Sequence, residues 1–265
     1  MGGLRMRNWR WLTRLLLGFV AISWMTAPAP AQENSIPPDV VRIWQHHNNN
    51  GWRQLDQGNY AKAAERFDLA IKEIRPYASI DRRLLARSYC DLARALYHQE
   101  RYAEAEPLAK WALAVREQDK KAKPDSVFQC LYVLAMIHKA QKHYGDAEPL
   151  LKRAVALQEE NVGPGHPGTA ATLDQLAVVY TEQGKNGEAT LVYRRILAIY
   201  EKINPDQNLD LADTAERFSA LMEKMHRPVE AERWKSRALT IRDNVESRTT
   251  KSKADANARK FEAFK

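Results

Sequence analysis

A spacing of 42 residues constrains this 265-residue chain more than any other feature of its sequence. RYAEAEPLAKWAL, starting at Arg101, returns as HYGDAEPLLKRAV, starting at His143. At the same interval an alanine recurs at Ala63, Ala105, Ala147, Ala189 and Ala231, and seven residues later stand Ala70, Ala112, Ala154, Ile196 and Ala238. Upstream, Leu92, Leu134, Leu176 and Phe218 share the register, each followed by a small residue: Ala93, Ala135, Ala177 and Ser219. Five copies run without an insertion or deletion. Such a period marks stacked copies of one supersecondary unit, because a single unit cannot bury its apolar face alone.

Within one period the apolar spacing is helical. Leu92, Ala93 and Leu96 share one face at i, i+1 and i+4, as do Leu173, Leu176, Ala177 and Tyr180. A polar turn follows, such as Gln57-Gly58-Asn59-Tyr60 or Gln183-Gly184-Lys185-Asn186, and then a second face built from Ala63, Phe67, Ala70 and Ile71. Each unit is therefore expected to be a pair of antiparallel helices, with small residues where they cross and larger ones in the groove between them. Glycine is scarce at 11 residues, whereas Ala, Leu, Glu, Lys, Arg and Gln recur, which excludes an all-β or doubly wound fold.

These units resemble the tetratricopeptide repeat, whose WxxLGxxY…AxxxF…P pattern spans about 34 residues. The resemblance covers about residues 44–243, and LKRAVALQEENVGPGHPGTAATLDQLAVVY at 151–180 is similar to the longer repeats of kinesin light chains. It implies an all-α, right-handed solenoid of about five helix pairs, with units at about 44–76, 86–118, 128–160, 170–202 and 212–244. Asn50 and Gly51 replace the Leu-small pair in the first unit, and Asn186 and Pro228 replace the turn tyrosine in the last two. Terminal units of solenoids have one face in solvent, so the ends are expected to pack less tightly than the centre.

The resemblance also implies a binding face, since first helices line a concave groove in such arrays. The candidates are Asn48, Asn49 and Trp52 in the first unit, and Arg87, Asp91, Arg94, Tyr97 and His98 in the second. Gln129, Tyr132, Met136 and Lys139 follow in the third, then Asp174, Gln175, Val178 and Thr181 in the fourth. The fifth offers Asp213, Glu216, Arg217 and Glu223. Aromatic, arginine and amide side chains suit an extended peptide or helix, because anchors of these types dominate interface energetics. Some arrays grip a C-terminal carboxylate with Lys, Asn and Arg. Here the corresponding places carry Asn48, Trp52, Asp91, Gln129 and Val133, and an acid and a valine argue against that ligand.

Both ends of the chain carry separate signals. Arg5, Arg7, Arg10 and Arg14 precede an apolar run of eleven residues, Leu15–Met25, and then TAPAPA, the layout of a secretory signal peptide over residues 1–31 with cleavage between Ala31 and Gln32. Eleven apolar residues fall short of the ~20 that span a bilayer, so cleavage with no stable membrane insertion is expected. An uncleaved inner-membrane signal anchor is the alternative. Residues 32–38 read as a linker ended by Pro37-Pro38, residues 39–247 as the repeat domain, and 248–265 as a basic tail or capping helix. The signal holds four basic residues and no acid, and the tail six basic against two acidic, which leaves 31 of each sign in the body. The net charge of +8 thus belongs to the ends, and nucleic acid is not an expected partner.

No catalytic constellation stands out. The seven histidines show no HExxH and no carboxylate at a ligand offset on the same helix face, so no metal is expected. No serine lies in GxSxG or SxxK. Gly163-Pro164-Gly165-His166-Pro167-Gly168-Thr169 has the outline of a phosphate loop but lacks its lysine and preceding strand, so it reads as a rigid turn shaped by His166. Cys90 and Cys130 fall early in neighbouring first helices; helix spacing of 8–10 Å exceeds disulfide reach of about 7 Å, which favours two packed thiols. The expectation is a non-enzymatic adaptor of the bacterial cell envelope, periplasmic or secreted and without cofactors, that binds a protein or peptide. A self-associating structural component is the alternative.

Overall fold

In the computed structural model the described residues are 35–206 and 208–263, with side chains to Lys251; the expected signal, its Ala31–Gln32 cleavage point and the start of the linker lie outside them. The described residues form ten α-helices in five antiparallel pairs. They are α1 (Pro38–Asp56) with α2 (Tyr60–Ile74), α3 (Arg82–His98) with α4 (Tyr102–Gln118), and α5 (Pro124–Ala140) with α6 (Tyr144–Val162). Then come α7 (Pro167–Glu182) with α8 (Asn186–Ile203), and α9 (Leu209–Lys224) with α10 (Pro228–Ala263). A 3-10 turn, Arg75–Tyr77, follows α2. The fold is the right-handed α-solenoid that the repeat register implies.

Helix starts follow the residues that precede each apolar pattern. Proline occupies the first turn of α1, α5 and α7, where its missing N–H has no intrahelical partner to lose. Asp81 caps α3 by accepting from the Arg83 N–H at 2.7 Å, and Asn208 caps α9 by accepting from the Leu211 N–H at 3.2 Å. First helices therefore begin three to six residues ahead of the repeat units read from apolar spacing. His166 does shape its turn: its Nδ1 accepts from the Gly168 N–H at 3.0 Å and caps α7.

The turn inside each pair has a common geometry. Gly58, Glu100, Lys142, Gly184 and His226 stand 42 residues apart, and every one has a positive φ, between 56° and 74°. Glycine takes that conformation freely, whereas the three larger residues hold it at a cost of about 1 kcal/mol each.

The repeated alanines occupy the helix crossings. Ala63, Ala105, Ala147 and Ala189 are fully buried, as are Ala70, Ala112, Ala154, Ile196 and Ala238. Leu92 touches three of the four core clusters and joins the first unit to the second and third. The largest cluster runs from Ala135 to Ile241, with Phe218, Met222 and Ile241 fully buried in the last pair. Loose packing at the C-terminal end is thus not observed. There α10 continues past the repeat register to Ala263, and Trp234 stacks edge-on against Phe218 at 5.8 Å. No helix among the described residues is long and apolar enough to cross a membrane.

Candidate functional site

The first helices meet along one face, and every junction there is closed by a polar contact. Between α1 and α3, the Trp52 indole donates to Asp91 at 3.2 Å. Between α3 and α5, Arg94 donates to Gln129 while its guanidinium lies 5.2 Å from the Trp52 ring. Lys139 of α5 donates to Gln175 of α7 at 2.5 Å, and Arg217 of α9 reaches both oxygens of Asp174 at 2.6 Å. The contacts span 35 to 43 residues in sequence, so one repeat step brings each pair together.

Burial separates the predicted groove residues into two sets. Asn48, Asp91 and Asp174 are buried at the helix junctions, which corrects the expected role of Asn48 and Asp174 as open partner contacts, whereas Asp91 also lines the cleft described below. They sit on the groove side of the first helices but pack against a neighbouring unit, Asp91 against Trp52 and Asp174 against Arg217. Asn48 is 1% exposed and lies beside the Asp91 carboxylate. Burial raises the pKa of Asp91, opposed by the nearby charges of Arg87 and Arg94 and by the Trp52 hydrogen bond. Asn49 and Arg87 are exposed, and Trp52, Arg94, Tyr97, Gln129, Tyr132, Met136, Lys139 and Gln175 are half-buried. His98 is exposed but stacks flat on Tyr60 at 4.6 Å, so its ring faces the preceding turn.

A cleft of about 520 Å³ opens on this face. Trp52 of α1, Arg87, Cys90 and Asp91 of α3, and Gln129 and Cys130 of α5 form its wall. The end of α4 and the spacer before α5 add Arg116, Asp119, Lys121, Ala122 and Lys123, and the start of α5 adds Asp125 and Ser126. Reading only the first helices misses these residues; the lysine cluster at 120–123 is the signal that points to them. Five basic residues, with Arg83, face three acidic ones, so the lining is basic although the repeat body is neutral. Such a surface offers contacts to charged and amide groups.

Cys90 and Cys130 are both free and buried, and they are neighbours in the stack. The neighbouring Cys130 thiol and then burial hold the Cys90 pKa well above the usual thiol range, which disfavours the reactive thiolate. Away from the cleft, His138, His143 and Asp146 each offer an atom within 4.8 Å of the others. No single helix face carries this set, which straddles the turn between α5 and α6.

The tetratricopeptide repeat family matches residues 54–118 and 127–202, just over half of the chain. No curated protein matches the sequence. Among solved structures, the nearly identical TPR-like repeats of a putative kinesin light chain from Podosopora anserina superpose with a TM-score of 0.70 at 18% identity. That match covers 80% of this chain and 100% of the other. BtubC (BKLC) from P. vanneervenii gives 0.66 at 20% identity, covering 78% and 90%. The Rap conjugation gene regulator of the plasmid pLS20, in complex with the Phr* peptide, gives 0.56 at 15% identity, covering 82% of this chain and 58% of that one. Repeat register, helix pairing and the kinesin-light-chain-like architecture agree, and the chain belongs to the tetratricopeptide repeat family.

Proposed function

We propose that this protein is a non-enzymatic scaffold or adaptor of the bacterial cell envelope, exported by its N-terminal signal, that holds a peptide or helix of a partner protein. The observation that carries this reading is the basic, tryptophan-bearing cleft on the first-helix face of the first three units. Its walls are set by junction contacts made before any partner arrives, so little ordering cost is left for binding. Arg87, Gln129, Lys121 and Lys123 offer donors, and Trp52 offers apolar area, to a segment carrying carboxylate or carbonyl groups. The Rap regulator, which shares the fold and is seen with a peptide, supports a protein-binding role in general. The export signal rests on the arginines and apolar run before Gln32.

Arg87→Glu tests the groove directly. Arg87 is half exposed at the cleft and also lies 3.9 Å from the buried Asp91 carboxylate, so the reversal alters the cleft lining and the junction together, and the reading requires a variant still folded by circular dichroism. Capture of the partner from envelope extract is expected to fall at least about tenfold while helicity is unchanged. Undiminished capture by a folded Arg87→Glu protein would refute the assignment.

A further inference from the structure

The third unit departs from the others at three linked positions. Where His138 stands, the register places buried apolar residues in the second, fourth and fifth units: Leu96, Tyr180 and Met222. Where His143 and Asp146 stand, the second and fifth units carry Arg and Glu, which form the turn ion pairs Arg101–Glu104 at 2.7 Å and Arg227–Glu230 at 2.5 Å. A buried apolar side chain, a turn cation and a long carboxylate have thus become two imidazoles and a short carboxylate, all in the same unit.

The fold brings them together. His138 lies in the last turn of α5, His143 immediately before α6, and Asp146 in the first turn of α6. The turn is closed by backbone hydrogen bonds from His143 to His138 at 2.8 Å and from Asp146 to His143 at 3.1 Å. One donor atom from each side chain falls within 4.8 Å of the other two. His138 is 7% exposed, and its Nδ1 is buried without a hydrogen-bond partner, an arrangement that costs free energy unless something fills it. The side chains of His143 and Asp146 are both exposed, and the His143 ring lies 6.2 Å from the His138 ring.

We propose that His138, His143 and Asp146 form a binding site for a divalent transition-metal ion of the zinc type. Two imidazole nitrogens and one carboxylate oxygen suit an ion of borderline softness, with water in the fourth position. Zinc ligands lie about 2.0–2.2 Å from the metal, so rotation of the two exposed side chains must close the group by roughly 1–1.5 Å. Bound metal clamps the end of α5 to the start of α6 and takes the place of the arginine–glutamate pair in the turns of the second and fifth units. The nearby Lys110 ammonium is already paired with Glu106, which limits its repulsion of a cation.

Titration of the chelator-stripped full chain with zinc chloride, followed by calorimetry and thermal melting, tests the site. One equivalent per chain is expected to bind in the micromolar range or tighter, with a melting temperature that rises with metal concentration. His138→Leu, which installs the residue of the second unit and so preserves the core, and His143→Ala are each expected to weaken binding at least about tenfold. His46→Ala/His47→Ala, which removes the exposed His46 and the partly buried His47 of α1, is expected to leave it intact. No zinc binding, or binding that survives His138→Leu/His143→Ala in a protein still folded by circular dichroism, or binding lost in His46→Ala/His47→Ala, overturns the proposal.

Discussion

Asp91 holds the most consequential residue-scale position on the groove face. It is buried, accepts from the Trp52 indole, and lies near the Arg87 and Arg94 guanidinium groups, so removing it leaves one donor without its acceptor and two cations without a nearby counter-charge. Asp91→Ala is expected to cost about 2–4 kcal/mol in denaturant unfolding, and Asp91→Asn distinctly less, because an amide oxygen still accepts from Trp52. Glu148 gives the clearest pH signature. Its carboxylate accepts from Lys152 at 2.6 Å and from Lys185 of the next unit at 2.5 Å, and these bonds lower its pKa from 4.5 to about 2. A depressed carboxylate stabilises the fold fully above its unfolded pKa and loses that contribution as pH falls toward the folded value. The unfolding free energy of the wild type should therefore drop more steeply than that of Glu148→Gln between roughly pH 5 and pH 2, by on the order of 1 kcal/mol in denaturant titrations, since both lysines are half in solvent.

At the scale of the element, the crossing of α1 and α2 is fixed by a missing side chain. Gly51 stands 42 residues before Ala93, and a Cβ built there would lie 2.5 Å from Cε1 of Phe67. What reads in sequence as a departure from the repeat is the small residue that a fully buried phenylalanine requires. Gly51→Ala should lower stability by about 1–2 kcal/mol, because overpacking outweighs the gain of roughly 1 kcal/mol in helix preference, and a urea melt reads the sign. Helix pairing, turn placement and the identity of the crossing alanines were legible because each depends on local spacing repeated five times. The junction chemistry was not. Asn48, Asp91 and Asp174 look like solvent-facing polar residues within their own helices, and only the helix of the next unit buries them. The His138–His143–Asp146 group is hidden for a different reason: its members share a turn within one unit rather than a helix face.

Across the whole molecule, one superhelical step does two things at once. It stacks the alanine faces into a continuous core, and it sets polar side chains of successive first helices against each other, from Trp52–Asp91 through Arg94–Gln129 and Lys139–Gln175 to Asp174–Arg217. That ladder fixes the relative placement of the units, so the cleft beside it is held open before binding. The spacers between units, which the repeat pattern leaves free to vary, then supply part of its lining: Asp119, Lys121 and Lys123 come from the connection after α4. A photo-crosslinking residue placed in turn at Arg87, at Lys121 and at Lys110 on α4 outside the cleft measures directly where a partner sits. Crosslinks to one partner protein from positions 87 and 121 and none from 110 are the predicted result, and equal crosslinking from all three, or crosslinking from 110 alone, would contradict a groove-bound partner.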